Sequence, residues 1–126
     1  MTVDFAFLCD AATADPKLNI LGQFDVIRAR SFPATHPRMV VVVRLEGHLT
    51  EAGGHNLNLA LVDDDGAEIL ERRLDLPFQV PPRGGKCNII TELNGVTFPR
   101  PGRYSVEVLV DGRHLKSVPL LLERVA

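Results

Sequence analysis

The 126-residue sequence has no tryptophan, two cysteines and no excess of either charge. Each lack excludes something. Without Trp, the Cys…Trp…Cys signature of antibody-type domains is missing. Cys9 and Cys87 are too few for a disulfide scaffold and lack metal-ligand spacing, so they read as buried thiols rather than a bridge. Basic and acidic residues number 14 and 16, for a net charge of −2. A dedicated nucleic-acid binder is distinctly basic, and a disordered chain is poor in hydrophobics or strongly charged. No apolar run approaches the roughly 20 residues of a membrane span. The start, MTVDFAFLCD, lacks a basic region, and Asp4 interrupts its short apolar stretch. No signal peptide is read there, and the expected location is the cytoplasm. No segment shows a sustained helical period with caps.

What is present is 45% hydrophobic residues, in short runs punctuated by 10 glycines and 9 prolines. The length suits one domain over residues 1–126. Such a chain buries roughly two thirds of its surface and needs no metal or disulfide to fold. Strands are expected at Val3–Cys9, then at Leu18–Ala29 with a bulge or bend at Gly22. The SFPATHP segment, Ser31–Pro37, reads as a loop. Met39–Leu45 holds four valines, Val40 to Val43, flanked by Arg38 and Arg44 as gatekeepers. Apolar residues on both faces mean a strand covered on both sides, or one face buried by a partner chain.

Asn56–Val62 places Leu57, Leu59 and Leu61 inward, Asp65-Gly66 signals a hairpin, and Glu68–Leu76 returns. Leu76–Lys86 reads as a crossing between sheets. Cys87–Leu93 follows, with a turn at Asn94-Gly95 into a short Val96–Phe98. The last hairpin, Tyr104–Val110 and Arg113–Glu123, turns at Asp111-Gly112 and sets Glu107 opposite Lys116. Pro119 implies an edge strand or a bulge. Seven to nine strands of this kind specify an all-β, two-sheet antiparallel sandwich. Tyr104, after a Pro-Gly turn at the start of the penultimate strand, suits the tyrosine corner of immunoglobulin-like folds. It also suits an ordinary core tyrosine.

Chemistry-bearing clusters are sparse. Asp63-Asp64-Asp65-Gly66 lacks the alternating ligands and distal Glu of a calcium loop and reads as a turn. Glu46, His48 and His55 form the best metal candidate, but solvated edge residues explain them as well, and no metal or cofactor is expected. His114 reads as exposed beside a turn. No serine has the glycines of a nucleophile elbow, and Gly84-Gly85-Lys86 is not a phosphate loop. The 11 arginines against 3 lysines are interleaved with acids, as on a mixed solvated surface.

The segments LCDAA (Leu8–Ala12), KLNILGQFD (Lys17–Asp25), ARSFPATHP (Ala29–Pro37), LNGVTFPRPGRYSVEVLVDG (Leu93–Gly112) and SVPLLL resemble, in combination, a family of small bacterial proteins catalogued as a domain of unknown function. The resemblance covers nearly the whole chain. It implies a stand-alone cytoplasmic β-sandwich and carries no activity, cofactor or catalytic residue.

Two functional expectations follow. The first is a non-catalytic binding or assembly module, self-associating or joined to another protein, with Val41 and Val43 as interface candidates. The second is a small-ligand site, with or without enzymatic activity, at one end of the sandwich. Its candidates are Asp10, Asp15, Arg30, His36 and Arg38, in or beside the two N-terminal loops. Nucleic-acid binding through the arginines is the weakest reading, given the near-neutral balance.

Overall fold

The computed structural model describes residues 1–126. Nine strands form it: β1 Thr2–Ala14, β2 Leu18–Phe24, β3 Val26–Ala29, β4 Ala34–Gly47, β5 Gly53–Asp63, β6 Leu74–Val80, β7 Gly85–Phe98, β8 Gly102–Val110 and β9 Arg113–Arg124. A single 3₁₀ turn, Leu49–Glu51, links β4 to β5. One sheet has the order β2-β1-β4-β7 and the other β3-β9-β8-β5-β6. The all-β sandwich is therefore as expected. All pairings are antiparallel but one, β3 with β9, which run parallel.

Alternation along the strands builds the core. Met39, Val41, Val43 and Leu45 of β4 meet Leu57, Leu59 and Leu61 of β5, Tyr104, Val106 and Val108 of β8, and Leu120 and Leu122 of β9 in one buried cluster. The opposite face of β4 is also covered. Val40 and Val42 join Cys9 in a separate cluster on the outside of the four-stranded sheet, flanked on that face by Phe5, Phe7, Leu18 and Ile90 of the neighbouring strands. Covering a β4 valine on either face removes most of a side chain from water, worth about 1.5–3 kcal/mol each. Both cysteines are free thiols; Cys9 is buried and Cys87 half-buried.

Two glycines decide which face their neighbours present. At Gly22, φ is +70°. Phe24 beyond it packs on the main core, while Leu18 before it packs on the outer cluster. The β1–β2 register runs through without an inserted residue, so Gly22 reverses the face rather than forming a bulge. Gly95, with φ +64°, does the same in β7. Inward residues are odd-numbered up to Leu93, then become Val96 and Phe98.

Several expected boundaries are corrected. Leu18–Ala29 is not one strand: it breaks at Asp25, and its halves lie in different sheets. The expected loop Ser31–Pro37 ends at Pro33, because Ala34–Pro37 already belongs to β4. Asn94-Gly95 is no turn, since β7 pairs with β4 from Gly85 to Phe98. Glu68–Arg73 is irregular apart from one bridge to Val62, and β6 begins at Leu74. Pro77 fits there because β6 is an edge strand. Residues 81–84 make the crossing between sheets. Glu107 faces Ser117, not Lys116, because a bulge after Leu109 and His114 shifts the β8–β9 register. Pro119 lies where β9 has no second neighbour, since β3 begins pairing only at Leu121.

The tyrosine corner is present. The Tyr104 hydroxyl donates to the Arg100 carbonyl at 2.6 Å and accepts the Arg100 N–H at 3.3 Å. It pins the turn that carries the chain from β7 in one sheet to β8 in the other.

Candidate functional site

The strand ends and outer faces hold four polar clusters and one long free edge. The first cluster lies where β1, β2, β3 and β4 converge. Asp10 of β1 and His36 of β4 line a cleft of about 350 Å³ with Gly22, Phe24 and Arg28. The His36 ring stands 5.8 Å from that of Phe24. Gly22 is needed there: a Cβ would stand 2.2 Å from an Asp10 carboxylate oxygen. So the structure brings together two of the five expected ligand residues. Asp15 is exposed in the β1–β2 turn, and Arg30 is exposed beyond β3. Neither lines the cleft, and Arg38 instead pairs with Glu92 of β7 at 3.1 Å.

The second cluster is the acidic turn after β5. Asp63 is buried; its Oδ1 accepts the N–H groups of Asp65 and Ala67, each at 2.9 Å. Its Oδ2 takes the Arg100 guanidinium at 3.0 Å, and Asp64 and Asp65 stand 3.6 and 3.5 Å from the same nitrogen. The Ala67 N–H, with those of Asp65 and the Arg100 charge, holds the Asp63 carboxyl below its usual range against the effect of burial. Arginine fills the position a cation would take, in keeping with a structural turn.

The third centres on His55 of β5. Its Nδ1 meets Asp111 Oδ2 and its Nε2 meets the Glu51 carbonyl, both at 2.6 Å. The ring stacks 5.7 Å from Phe78. Both ring nitrogens face acceptors, so the doubly protonated ring satisfies both. Asp111 first, then the Glu51 carbonyl, raises the His55 pKa against burial. His48 and Glu46 do not join it: Glu46 binds Lys86 at 3.0 Å.

The fourth lies on the outside of the five-stranded sheet. Glu107 accepts hydrogen bonds from Ser105, at 2.6 Å, and from Ser117, and it meets His114 Nε2 at 2.7 Å. Burial pushes the Glu107 carboxyl up, but the two hydroxyls and the His114 ring outweigh it and hold it low. One His114 nitrogen serves both Ser117 and Glu107. A nucleophile relay needs the two imidazole nitrogens on different partners, so this is a bracing network. Sequence reading missed it because the bulge that sets Ser117 opposite Glu107 has no mark in composition.

The free edge belongs to β7. The strand is 14 residues long and pairs only with β4. None of the backbone bonds outside the regular ladders involves its residues. Beside its C-terminal half, the segment Ile69–Leu74 forms the other wall of a cleft of about 700 Å³. Ile69, Leu70, Leu74, Leu93 and Val96 supply apolar lining, with Glu71, Arg72 and Glu92 at the rim. Val41 and Val43, the expected interface residues, have no exposure and lie in the inter-sheet core. The outer face beside the β7 edge is formed by the row of Val42 and Ile90.

Comparison with known proteins gives a fold relative and a family. The chain matches, with TM-score 0.60 and 18% identity over 97% of its length, a structure of the Pseudomonas fluorescens alkylpurine DNA glycosylase AlkC bound to DNA containing an abasic site analog. The match spans 30% of the glycosylase chain, and at that identity it shows a common fold alone. No curated protein matches the sequence. A family model matches residues 4–123, almost the whole sandwich, and the chain belongs to that family, a family of unknown function (DUF6941).

Proposed function

We propose that this protein is a non-catalytic binding or assembly module of the cytoplasm, engaging a protein partner through the β7 side of its sandwich. The observation that carries this reading is the 14-residue free edge beside an open, partly apolar cleft. A free edge offers a row of unpaired N–H and C=O groups, and an extended segment that adds to it gains main-chain hydrogen bonds. The cleft then supplies pockets for alternate side chains.

The test is photo-crosslinking in cells, with a photoreactive phenylalanine analogue at exposed Asn88 of β7 or at exposed Lys116 of β9. Discrete adducts at position 88 and none at position 116 support the reading. Equal labelling at both positions, or none at either, refutes it.

The Asp10–His36 cleft favours a second reading, a small-ligand site. Arg28 in its lining, shared with Glu123 at 3.1 Å, supplies the cleft's cation beside the Asp10 carboxylate, so the lining suits a polar ligand. A panel of metabolites would then raise the melting temperature of the wild type but not of His36→Ala, since a ligand of the native state must stabilise it.

A further inference from the structure

We infer that the partner at the β7 edge is a second copy of this chain, joined as an antiparallel strand pair about a two-fold axis at Ile89. The inference rests on the binding-module reading above and adds the partner and its register.

The four sheet edges are not alike. β3 has only 4 residues. β2 has 7 and is interrupted by the left-handed Gly22. β6 has 7 and carries Pro77, which cannot donate to a ladder. These are the devices by which sheets discourage edge-to-edge pairing. Apart from the charges Lys86 and Glu92, β7 has none of them between Lys86 and Asn94: no proline, no left-handed residue and an unbroken register with β4. The strand has 14 residues against 7 or fewer for every other edge strand, and its stretch Lys86–Asn94, before the left-handed Gly95, is itself longer than any of them.

Charge selects the partner. Between Gly85 and Phe98 the only charged residues are Lys86 and Glu92. They lie six positions apart, an even number, so they share a face of the strand. A two-fold antiparallel pair must centre on a residue, because a half-residue shift turns hydrogen-bonding groups away from each other. Centring on Lys86 or on Glu92 sets like charges opposite. Centring on Ile89 sets Lys86 against Glu92 of the partner subunit, and by symmetry forms that pair twice. The same register puts Asn88 opposite Ile90 of the partner subunit.

Existing ion pairs extend through this contact. Lys86 already binds Asp4 at 2.6 Å and Glu46 at 3.0 Å, so one cation serves two carboxylates. Glu92 is held by Arg38. Joining them makes a row of alternating sign across the outer face. The two four-stranded sheets then become one eight-stranded sheet, with roughly eight to ten new backbone hydrogen bonds.

The test is a charge exchange read by sedimentation equilibrium. Wild type is expected to dimerise below about 200 µM. Lys86→Glu makes both β7 charges acidic and Glu92→Lys makes both basic. Each alone is expected to weaken self-association roughly 10- to 100-fold, because two attractive cross-strand pairs become repulsive. Mixed in equal amounts, the two variants are expected to form a heterodimer, since both pairs are then opposite in sign. Intramolecular partners of Lys86 and Glu92 are not restored by mixing, so rescue reports the intermolecular contact. Cooperative melting of each variant checks its fold.

Should Lys86→Glu fail to fold, hydrogen exchange on wild type replaces it. β7 amides are expected to slow with rising protein concentration while those of β2 do not, and equal behaviour overturns the inference. A dimer indifferent to both substitutions overturns the register and leaves assembly standing. A wild type monomeric at that concentration overturns self-pairing. Asn88 adducts with a different protein would then uphold the broader reading, and the absence of any adduct would end it too.

Discussion

Replacing Tyr104 with Phe removes one oxygen and should lower stability by about 1–1.5 kcal/mol. The magnitude follows from the corner. Tyr104 is 3% exposed, and its ring meets Phe98 edge-on at 5.1 Å; both features survive in Phe. What is lost is a short bond to the Arg100 carbonyl and a longer one from the Arg100 N–H. Arg100 itself is exposed, so water takes up part of the loss. That keeps the cost well below the roughly 3–5 kcal/mol expected for Tyr104→Ala, which empties the ring site as well. Urea unfolding should show the midpoint falling with an unchanged m-value, and the melting temperature should fall by about 4 °C. Arg100→Ala keeps the backbone groups and removes the guanidinium's ion pairs with Asp63, Asp64 and Asp65. A double-mutant cycle with Tyr104→Phe should show coupling between the two changes, because the Tyr104 hydroxyl bonds to the backbone of Arg100 itself. A Tyr104→Phe stability within about 0.3 kcal/mol of wild type would refute the reasoning and reduce Tyr104 to a core ring.

Gly22→Ala should destabilise by about 1–2 kcal/mol from its left-handed backbone, with an added penalty from contact with Asp10. Asp10→Ala in the same chain should relieve the contact and leave the backbone part, measured as a double-mutant cycle in urea. The His55 pKa is raised in the fold, so its contribution is fully present below the ordinary histidine value and lost as pH rises through the raised one. Melting temperature should therefore decline across neutral pH in wild type and less steeply in His55→Gln. Asp63 behaves oppositely: its contribution is present above the ordinary carboxylate range and lost as pH falls through the lowered value. Asp63→Ala should melt lower at neutral pH, with a flatter acid limb in the same scan.

Where a strand has one partner on each side and unmixed alternation, its role could be read directly. Tyr104, Val106, Val108 and Val110 are legible in that way; Val40 to Val43 show apolar residues on both faces, which fits a second layer or a partner chain alike, and the structure buries them within the chain. The failures share a cause: periodicity reports burial, not which sheet does the burying. Leu18–Ala29 carries apolar residues along its whole length with no proline or paired turn residues to divide it, yet its halves belong to different sheets. Asn94-Gly95 carries turn chemistry, but the left-handed glycine serves to change face within a continuing strand. The bulge that separates Glu107 from Lys116 adds one residue with no distinguishing composition.

Sites were less legible. Asp10, Asp15, Arg30, His36 and Arg38 all lie in or beside the N-terminal loops, and loop proximity alone does not separate Asp10 and His36, which share a cleft, from the other three. The pairing of His55 with Asp111 spans 56 residues and two strands, a distance at which spacing carries no signal. The free edge of β7 depends on strand order, which no local pattern reveals.

The parallel pairing of β3 and β9 also bears on how the chain is made. Arg28 of β3 meets Glu123 of β9, 95 residues further on. At ribosomal speeds, roughly 5–20 residues per second, β3 waits about 5–20 s for its neighbour. Until β8 and β9 emerge the main core is incomplete, and the inner side chains Val41 and Val43 have only β5 among the inner strands of the opposite sheet to pack on. A nascent chain with four adjacent valines is a hazard for aggregation, and Arg38 and Arg44 bracket that run. In the finished sandwich they are ordinary surface ion pairs. During synthesis the same two charges border the valine run while its β8 and β9 partners in the core are still missing.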